Sequence, residues 1–220
     1  MIELPDFAKT YDYENYFYFT CDNQRIGKLV AHYELFKMTK DIEGSIVECG
    51  VFKGASFLRF AMYRKLFDEN SKRKIIGFDS FAAFPQTNYE PDIKMRIDFV
   101  EECGEQSIST SQLMELLEKK DCAESIELVA GDITNTIPGY VEKNPDLKIS
   151  MLNLDADVYE PSVTVLEYLY PRIVPGGILI LDDYGVFPGE TKAVDDYFKD
   201  KNVDIRKFSY SMTPSYLIKN

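Results

Sequence analysis

Along this 220-residue chain the spacing of apolar residues changes repeatedly, and each change marks an element. Over 24–40, Ile26, Leu29, Val30, Tyr33, Leu35, Phe36 and Met38 recur at mostly helical intervals, which predicts an amphipathic helix. Beyond it, short apolar runs bounded by turn residues predict strands at 46–49, 74–79, 126–130, 149–154 and 177–181. Helical patterns at 55–67, 110–120, 137–143, 161–170 and 190–198 alternate with them, and two more strands, 203–208 and 215–218, follow with no helix between. Strands separated by helices form a parallel sheet covered on both faces, whereas the helix-less final pair implies an antiparallel hairpin. The expected fold is therefore α/β and Rossmann-like: a doubly wound, mostly parallel seven-stranded sheet with helices on both faces. Two regions fall outside the alternation. The chain ahead of the first helix is an aromatic, acidic arm, and 80–107, with Pro85, Pro91 and Gly104, reads as a long excursion of the functional kind. The expected division is an N-terminal arm and helix over 1–43, serving as a lid or dimer element, and a ligand-binding domain over 44–220.

Composition narrows the function. With 45% apolar and 28% charged residues the chain is an ordinary globular one, not a disordered one. Twenty-five basic against 37 acidic residues leave a net charge of −12, which repels phosphate backbones and anionic membranes, so neither nucleic acid nor a membrane is an expected partner. No basic start followed by an apolar run opens the chain, and no segment approaches a membrane span. Cys21, Cys49, Cys103 and Cys122 are too scattered for a zinc knuckle or a disulfide framework, which points to a reducing cytoplasm. His32 is the only histidine, so mechanisms built on Ser-His or Cys-His pairs or on histidine-bound metals drop out. It reads as a packing residue rather than a base, and Cys49 as a small buried filler. Tyr11, Tyr13, Tyr16, Phe17, Tyr18 and Phe19 of the arm suit a lid, a contact in a homodimer, or packing on the sheet.

In an open parallel sheet, ligands sit beyond the carboxyl ends of the strands, so the residues ending each strand are the candidates. The first strand ends Glu48-Cys49-Gly50 and opens a helix through Gly54 and Ser56. A dinucleotide site would need a second glycine where Phe52 stands, and an acidic residue ahead of Gly50 suits a cationic sulfonium better than a pyrophosphate. That favours S-adenosylmethionine as cofactor, with Gly50, Gly54 and Ser56 in its binding turn, against the plainer reading of a strand-to-helix turn. The second strand ends at Asp79-Ser80, where a carboxylate can accept from both ribose hydroxyls. The third leads into Asp132-Ile133, placed to receive the adenine amino group and pack on its ring; an N-cap explains Asp132 about as well. The fourth and fifth end at Asp155 and at Asp182-Asp183, roughly 5 Å apart if adjacent. Carboxylates so crowded call for a cation, and oxygen-only ligands select a hard one, Mg2+ first, then Mn2+ or Ca2+. Such an ion would lower the pKa of an acceptor hydroxyl while a neighbouring carboxylate takes the proton. Asp157 reads as a structural link to the next helix that could share the base role.

Four strings, VECGVFKG (47–54), GFDSFAAFP (77–85), NLDADVYEP (153–161) and PGGILILDDY (175–184), followed by Thr191-Lys192-Ala193-Val194-Asp195, resemble the macrocin O-methyltransferase family, the TylF/MycF/NovP group. The likeness runs from about residue 48 to 197. It implies a magnesium-dependent, S-adenosylmethionine-dependent enzyme that methylates a sugar hydroxyl on a small-molecule acceptor. It further implies Asp155, Asp182 and Asp183 as metal ligands, Asp155 also as general base and cofactor contact, Asp79 on the ribose, and Glu48 with Gly50 along the methionine end. The competing readings are a catechol-type O-methyltransferase and a non-catalytic protein that keeps the fold.

Overall fold

The computed structural model describes residues 2–68 and 72–220. After a single 3-10 turn at Phe7–Lys9, the elements run α1 (Thr10–Thr20), α2 (Asn23–Met38), β1 (Ser45–Cys49), α3 (Ala55–Phe67), β2 (Ile75–Asp79), α4 (Glu90–Cys103) and α5 (Thr110–Lys119). They continue through β3 (Ile126–Ala130), α6 (Ile133–Lys143), β4 (Ile149–Leu154), α7 (Tyr159–Tyr168), β5 (Ile173–Leu181), α8 (Pro188–Phe198), β6 (Arg206–Lys207) and β7 (Ser215–Ile218). One seven-stranded sheet forms in the order β3-β2-β1-β4-β5-β7-β6, parallel except for β7, which runs antiparallel to both β5 and β6. This is the expected doubly wound sheet. Its order reverses between β1 and β4, so a crevice opens at their carboxyl ends.

Alternation along the strands sorts the core into two layers. Val47, Cys49, Leu152, Leu154, Leu179 and Leu181 pack against α6, α7 and α8 through Ile137, Val165 and Val194. Ile46, Met151, Ile178 and Ile180 face α2, α3 and α5 through Leu35, Phe36, Phe57, Phe60 and Leu113. Because α2 buries Ala31, Leu35 and Phe36 in that second layer, it is part of the sheet's cover, whereas α1 buries no residue at all.

Two helices depart from the sequence reading. In α1, aromatics occupy every face, so no apolar stripe advertises a helix. In α4, Pro91 stands in the first turn, where its missing N–H costs nothing, so it opens a helix instead of breaking one. The excursion 80–107 is thus largely helical. Likewise α6 begins four residues before the predicted 137, with Asp132 as its cap and Pro138 inside it. The strand predicted at 203–208 shrinks to Arg206–Lys207.

Candidate active site

The turn after β1 is shaped by contact with β4. Gly50 has φ +94°, and a Cβ there would lie 1.7 Å from the carbonyl oxygen of Asp155, so only glycine lets the two strand ends meet. The junction is closed by hydrogen bonds from Gly50 N–H to the Phe78 carbonyl and from Asp155 N–H to the Cys49 carbonyl, both 2.9 Å. Asp79, buried at the end of β2, fastens the same turn. Its Oδ2 accepts from the backbone N–H groups of Val51 and Phe52 at 2.9 Å each, and its Oδ1 from that of Phe81 at 2.6 Å. Two N–H groups of the β1 turn are therefore satisfied by protein.

Above this turn lies a cavity of about 470 Å³ lined by Gly50, Phe52, Asp79, Ser80, Asp132, Ile133, Asp155 and Asp157 among others. Six of the residues proposed from sequence for the cofactor thus share one wall: Gly50, Asp79, Ser80, Asp132, Ile133 and Asp155. The other three, Glu48, Gly54 and Ser56, do not line it. Glu48 shares the α2-facing side of β1 with Ile46, is fully buried, and accepts from the Ser56 hydroxyl at 2.8 Å. Burial pushes its carboxyl up to about 8. Gly54, at φ +83°, is the cap of α3 and faces Leu113. Asp132 caps α6: Oδ1 accepts from Thr134 N–H at 2.8 Å and from its hydroxyl at 2.7 Å, and Oδ2 from Asn135 at 3.2 Å. Ser80 is used locally too, donating to the Ala83 carbonyl at 2.9 Å.

The acidic residues divide into two groups. Asp155, Asp157 and Asp183 each offer one carboxylate oxygen within 4.8 Å of the others. Asp157 enters because its own φ of +59° turns the chain back at the end of β4, a step that a strand's two-residue period does not anticipate. Burial and the neighbouring Asp182 charge raise Asp155 well above the usual carboxylate range; burial and Asp183 do the same for Asp157. Burial and Asp182 bring Asp183 to about 6. Glu190, buried behind them, accepts from Asp183 N–H at 3.0 Å, and burial with the Asp183 and Asp182 charges raises its carboxyl as well. Three oxygen donors of shared charge, held reluctantly ionised, match the donor set of a hard divalent ion.

Asp182, expected in that set, faces α2 instead. Its Oδ2 forms an ion pair with Lys28 Nζ, and its Oδ1 lies 3.4 Å from His32 Nε2. Burial alone would raise its carboxyl, but Lys28 and His32 outweigh it and hold the group well below the usual range. His32 is fully buried and stacked on Phe60 at 5.0 Å, with Nδ1 2.9 Å from Arg59 Nη1. Since a guanidinium can only donate, Nδ1 accepts and the proton sits on Nε2, facing Asp182. Burial, the largest effect, lowers the imidazole pKa, so the ring is neutral near pH 7. Lys28 had no signature in sequence: its partner is 154 residues away.

Two further carboxylates hold the excursion over the cavity. Asp92, fully buried in the first turn of α4, accepts from Tyr159 N–H at 3.0 Å and Gly189 N–H at 2.7 Å, tying α4 to the starts of α7 and α8. A Cβ on Gly189 would lie 2.0 Å from Asp92 Oδ2, which explains that glycine. Glu160 accepts from the Thr87 hydroxyl at 2.9 Å and from Asn88 N–H at 2.8 Å. Pro85, Gln86 and Asn88 thereby become cavity wall.

Against known proteins, a family profile described as macrocin-O-methyltransferase (TylF) matches residues 8–212. An 8-demethyl-8-(2,3-dimethoxy-alpha-L-rhamnosyl)-tetracenomycin-C 4'-O-methyltransferase of Streptomyces olivaceus is 28% identical over 149 residues, covering 66% of this chain and 54% of that protein. Mycinamicin III 3''-O-methyltransferase of Micromonospora griseorubida is 25% identical over 160 residues, 71% of this chain and 61% of its own length. The matches thus span less than two thirds of these curated relatives. Among solved structures, CalS11, a calicheamicin methyltransferase, superposes with a TM-score of 0.78 at 27% identity, covering 95% of this chain and 85% of its own. The O-methyltransferase NovP, at 23% identity and TM-score 0.74 over 87% of this chain and 79% of its own, shares the fold. No described helix is long and apolar enough to cross a membrane.

Proposed function

Because the chain belongs to the macrocin-O-methyltransferase (TylF) family, we propose that it moves a methyl group from S-adenosylmethionine to a hydroxyl of a sugar or glycosylated small molecule, with a divalent metal ion, Mg2+ first, at the acidic cluster. The observation that carries this reading is the coincidence of the strand-end cavity, lined by Asp155 and Asp157, with a cluster in which a carboxylate oxygen of Asp183 lies within 4.8 Å of theirs. The names of the relatives support the acceptor class: one is a methyltransferase of a rhamnosyl-tetracenomycin and the other of mycinamicin III.

In this reading Gly50, Asp79, Ser80, Asp132 and Ile133 frame the cofactor. Asp79 is engaged by three backbone amides and, on Oδ1, by the Ser80 hydroxyl at 3.3 Å; a ribose hydroxyl would take the place of Ser80, which keeps the Ala83 carbonyl as its acceptor. Ile133 supplies the apolar face for adenine. The acceptor enters between the 85–88 segment and the acidic cluster, and its hydroxyl oxygen attacks the methyl carbon as the carbon–sulfur bond breaks and the electron pair returns to sulfur. Asp155 takes the hydroxyl proton, as a carboxylate of the acidic cluster that also lines the cavity. A divalent ion held by Asp155, Asp157 and Asp183 would supply charge stabilisation for the oxygen that loses that proton. Within the 44–220 methyltransferase domain these residues carry the chemistry, while 1–43 contributes α2 as cover and α1 as an exposed arm suited to a lid or to a second copy.

The test is methyl transfer from labelled S-adenosylmethionine to a set of glycosides and to a catechol, with and without chelator. Transfer to a sugar hydroxyl that chelator suppresses is expected. Preference for the catechol would place the acceptor in the wrong class, and no calorimetric heat with either the cofactor or its demethylated product would make the chain a non-catalytic relative.

A further inference from the structure

Phe52 stands where a dinucleotide-binding turn would carry a glycine, yet it keeps a glycine-like backbone: its φ is +47°, a left-handed value that side chains rarely adopt. Three hydrogen bonds fix the turn in that shape. The Phe52 N–H donates to Asp79 Oδ2 at 2.9 Å, its carbonyl accepts from Ile108 N–H at 2.8 Å, and the next residue, Lys53, donates through Nζ to the Cys103 carbonyl. The turn after β1 is therefore fastened on one side to the residue proposed for the ribose and on the other to the far end of the 80–107 excursion.

The ring continues the connection. Phe52 packs on Phe84 with centroids 6.1 Å apart and on Phe99 of α4 at 5.5 Å; Phe84 and Phe99 are 5.1 Å apart, and Phe99 reaches Phe187, ahead of α8, at 6.1 Å. Phe52 and Phe84 both line the strand-end cavity. The two limbs of the excursion join beside Phe84, whose N–H donates to the Glu105 carbonyl at 2.8 Å, while Ser107 N–H donates to the Ala82 carbonyl at 2.7 Å. A left-handed phenylalanine persists only where its surroundings fix it, and here those surroundings are Asp79 and the excursion.

We propose that Phe52 is a positioning residue that couples the two sides of the cavity: a cofactor seated on Gly50 and Asp79 fixes the Phe52 turn, and the Phe52 ring in turn holds 84–103 as the acceptor-facing wall. This rests on the cofactor reading given above. The coupling is reciprocal, so the ordered wall strengthens cofactor binding by the same factor as the cofactor steadies the wall. Glycine at position 52 accepts the left-handed backbone and keeps both of its main-chain bonds, so it removes the ring and leaves the turn. Cofactor binding then survives without its effect on 84–103.

The experiment is amide hydrogen exchange of the full chain with and without saturating S-adenosylhomocysteine, whose binding calorimetry follows in parallel. In the unaltered chain the ligand is expected to slow exchange by about fivefold or more, both in the 50–54 turn and across 84–103. Phe52→Gly cuts the ring contact from the turn, and Phe99→Ala cuts it from α4. In both, the slowing at 50–54 is expected to remain and that across 84–103 to fall below about twofold, whereas Phe52→Tyr, which keeps a ring, behaves as the unaltered chain. A ring that only stabilised the fold would, when lost, speed exchange with and without ligand alike and leave their ratio as it was. Melting curves establish which variants are folded, and cuts on two different elements guard against one failing. Slowing across 84–103 that survives in either folded variant overturns the proposal, as does its absence from an unaltered chain that binds the ligand; both leave the cofactor reading standing. No heat on adding the ligand to the unaltered chain overturns both.

Discussion

Gly50 and Asp155 meet backbone to backbone: a methyl group on residue 50 would sit 1.7 Å from the Asp155 carbonyl oxygen. The residue that opens the β1 turn and the residue proposed as base are therefore placed by one contact between neighbouring strand ends. Gly50→Ala cannot be accommodated in either φ or space, and it should destabilise the fold by roughly 2–4 kcal/mol. Thermal or urea denaturation reads this directly. A change below about 0.5 kcal/mol would mean that the two strand ends do not meet so closely.

Asp79 braces the same turn, and Asp79→Asn replaces one of its two acceptor oxygens with an NH2 group that confronts backbone donors. The cost expected is about 1–3 kcal/mol of stability, accompanied by weaker binding of S-adenosylhomocysteine. Calorimetry and melting on the same sample separate the two effects. Loss of binding with an unchanged melt would make Asp79 a ligand contact with no bracing role.

Glu48 makes the stability of the chain pH-dependent. Its carboxyl is raised to about 8 by burial, so the folded state holds a proton that the unfolded state releases near its ordinary carboxylate value. More protons bound in the folded state means that stability falls as pH rises between those two values, and the loss is complete above about 8. Glu48→Gln, which carries no ionisable group, should lessen the decline between pH 5 and 8 in metal-free protein, leaving the part due to Asp155, Asp157, Asp183 and Glu190. The melting temperature across that range is the measurement, and an identical slope in both proteins would mean that Glu48 does not carry the effect.

Asp92 holds α4 to the starts of α7 and α8, and Asp92→Ala leaves the N–H groups of Tyr159 and Gly189 without their acceptor. A loss of about 1–3 kcal/mol follows, with faster amide exchange across 80–107. In turnover the acceptor's KM should rise more than kcat falls, because the segment forms cavity wall and carries no reacting group. Exchange unchanged over 80–107 would show that Asp92 does not fasten the excursion.

Much of this fold is legible in the chain because short runs rich in apolar residues between turn residues mark strands: 126–130, 149–154 and 215–218 are expected and observed at the same limits. Helices without an apolar stripe were the ones lost. Tyr11 through Phe19 give α1 no preferred face, and Pro91 disguised the first turn of α4 as a break. The strand-end rule located Gly50, Asp79, Ser80, Asp132, Ile133 and Asp155 on one cavity wall, since topology alone dictates where a strand ends. It could not choose among the carboxylates. Whether Asp182 or Asp157 joins Asp155 and Asp183 depends on a lysine far away in sequence and on a positive φ, neither of which has a local pattern.

The central claim is that Asp155 removes a proton from a sugar hydroxyl beside a bound methyl donor. It is tested most directly by following tritiated methyl from S-adenosylmethionine into a glycoside with the unaltered chain and with Asp155→Asn, while calorimetry tracks S-adenosylhomocysteine. The account predicts label in the sugar for the unaltered chain and a rate lower by about 10²–10⁴-fold in the variant, with the product still bound. A variant that methylates the glycoside at the original rate would contradict it.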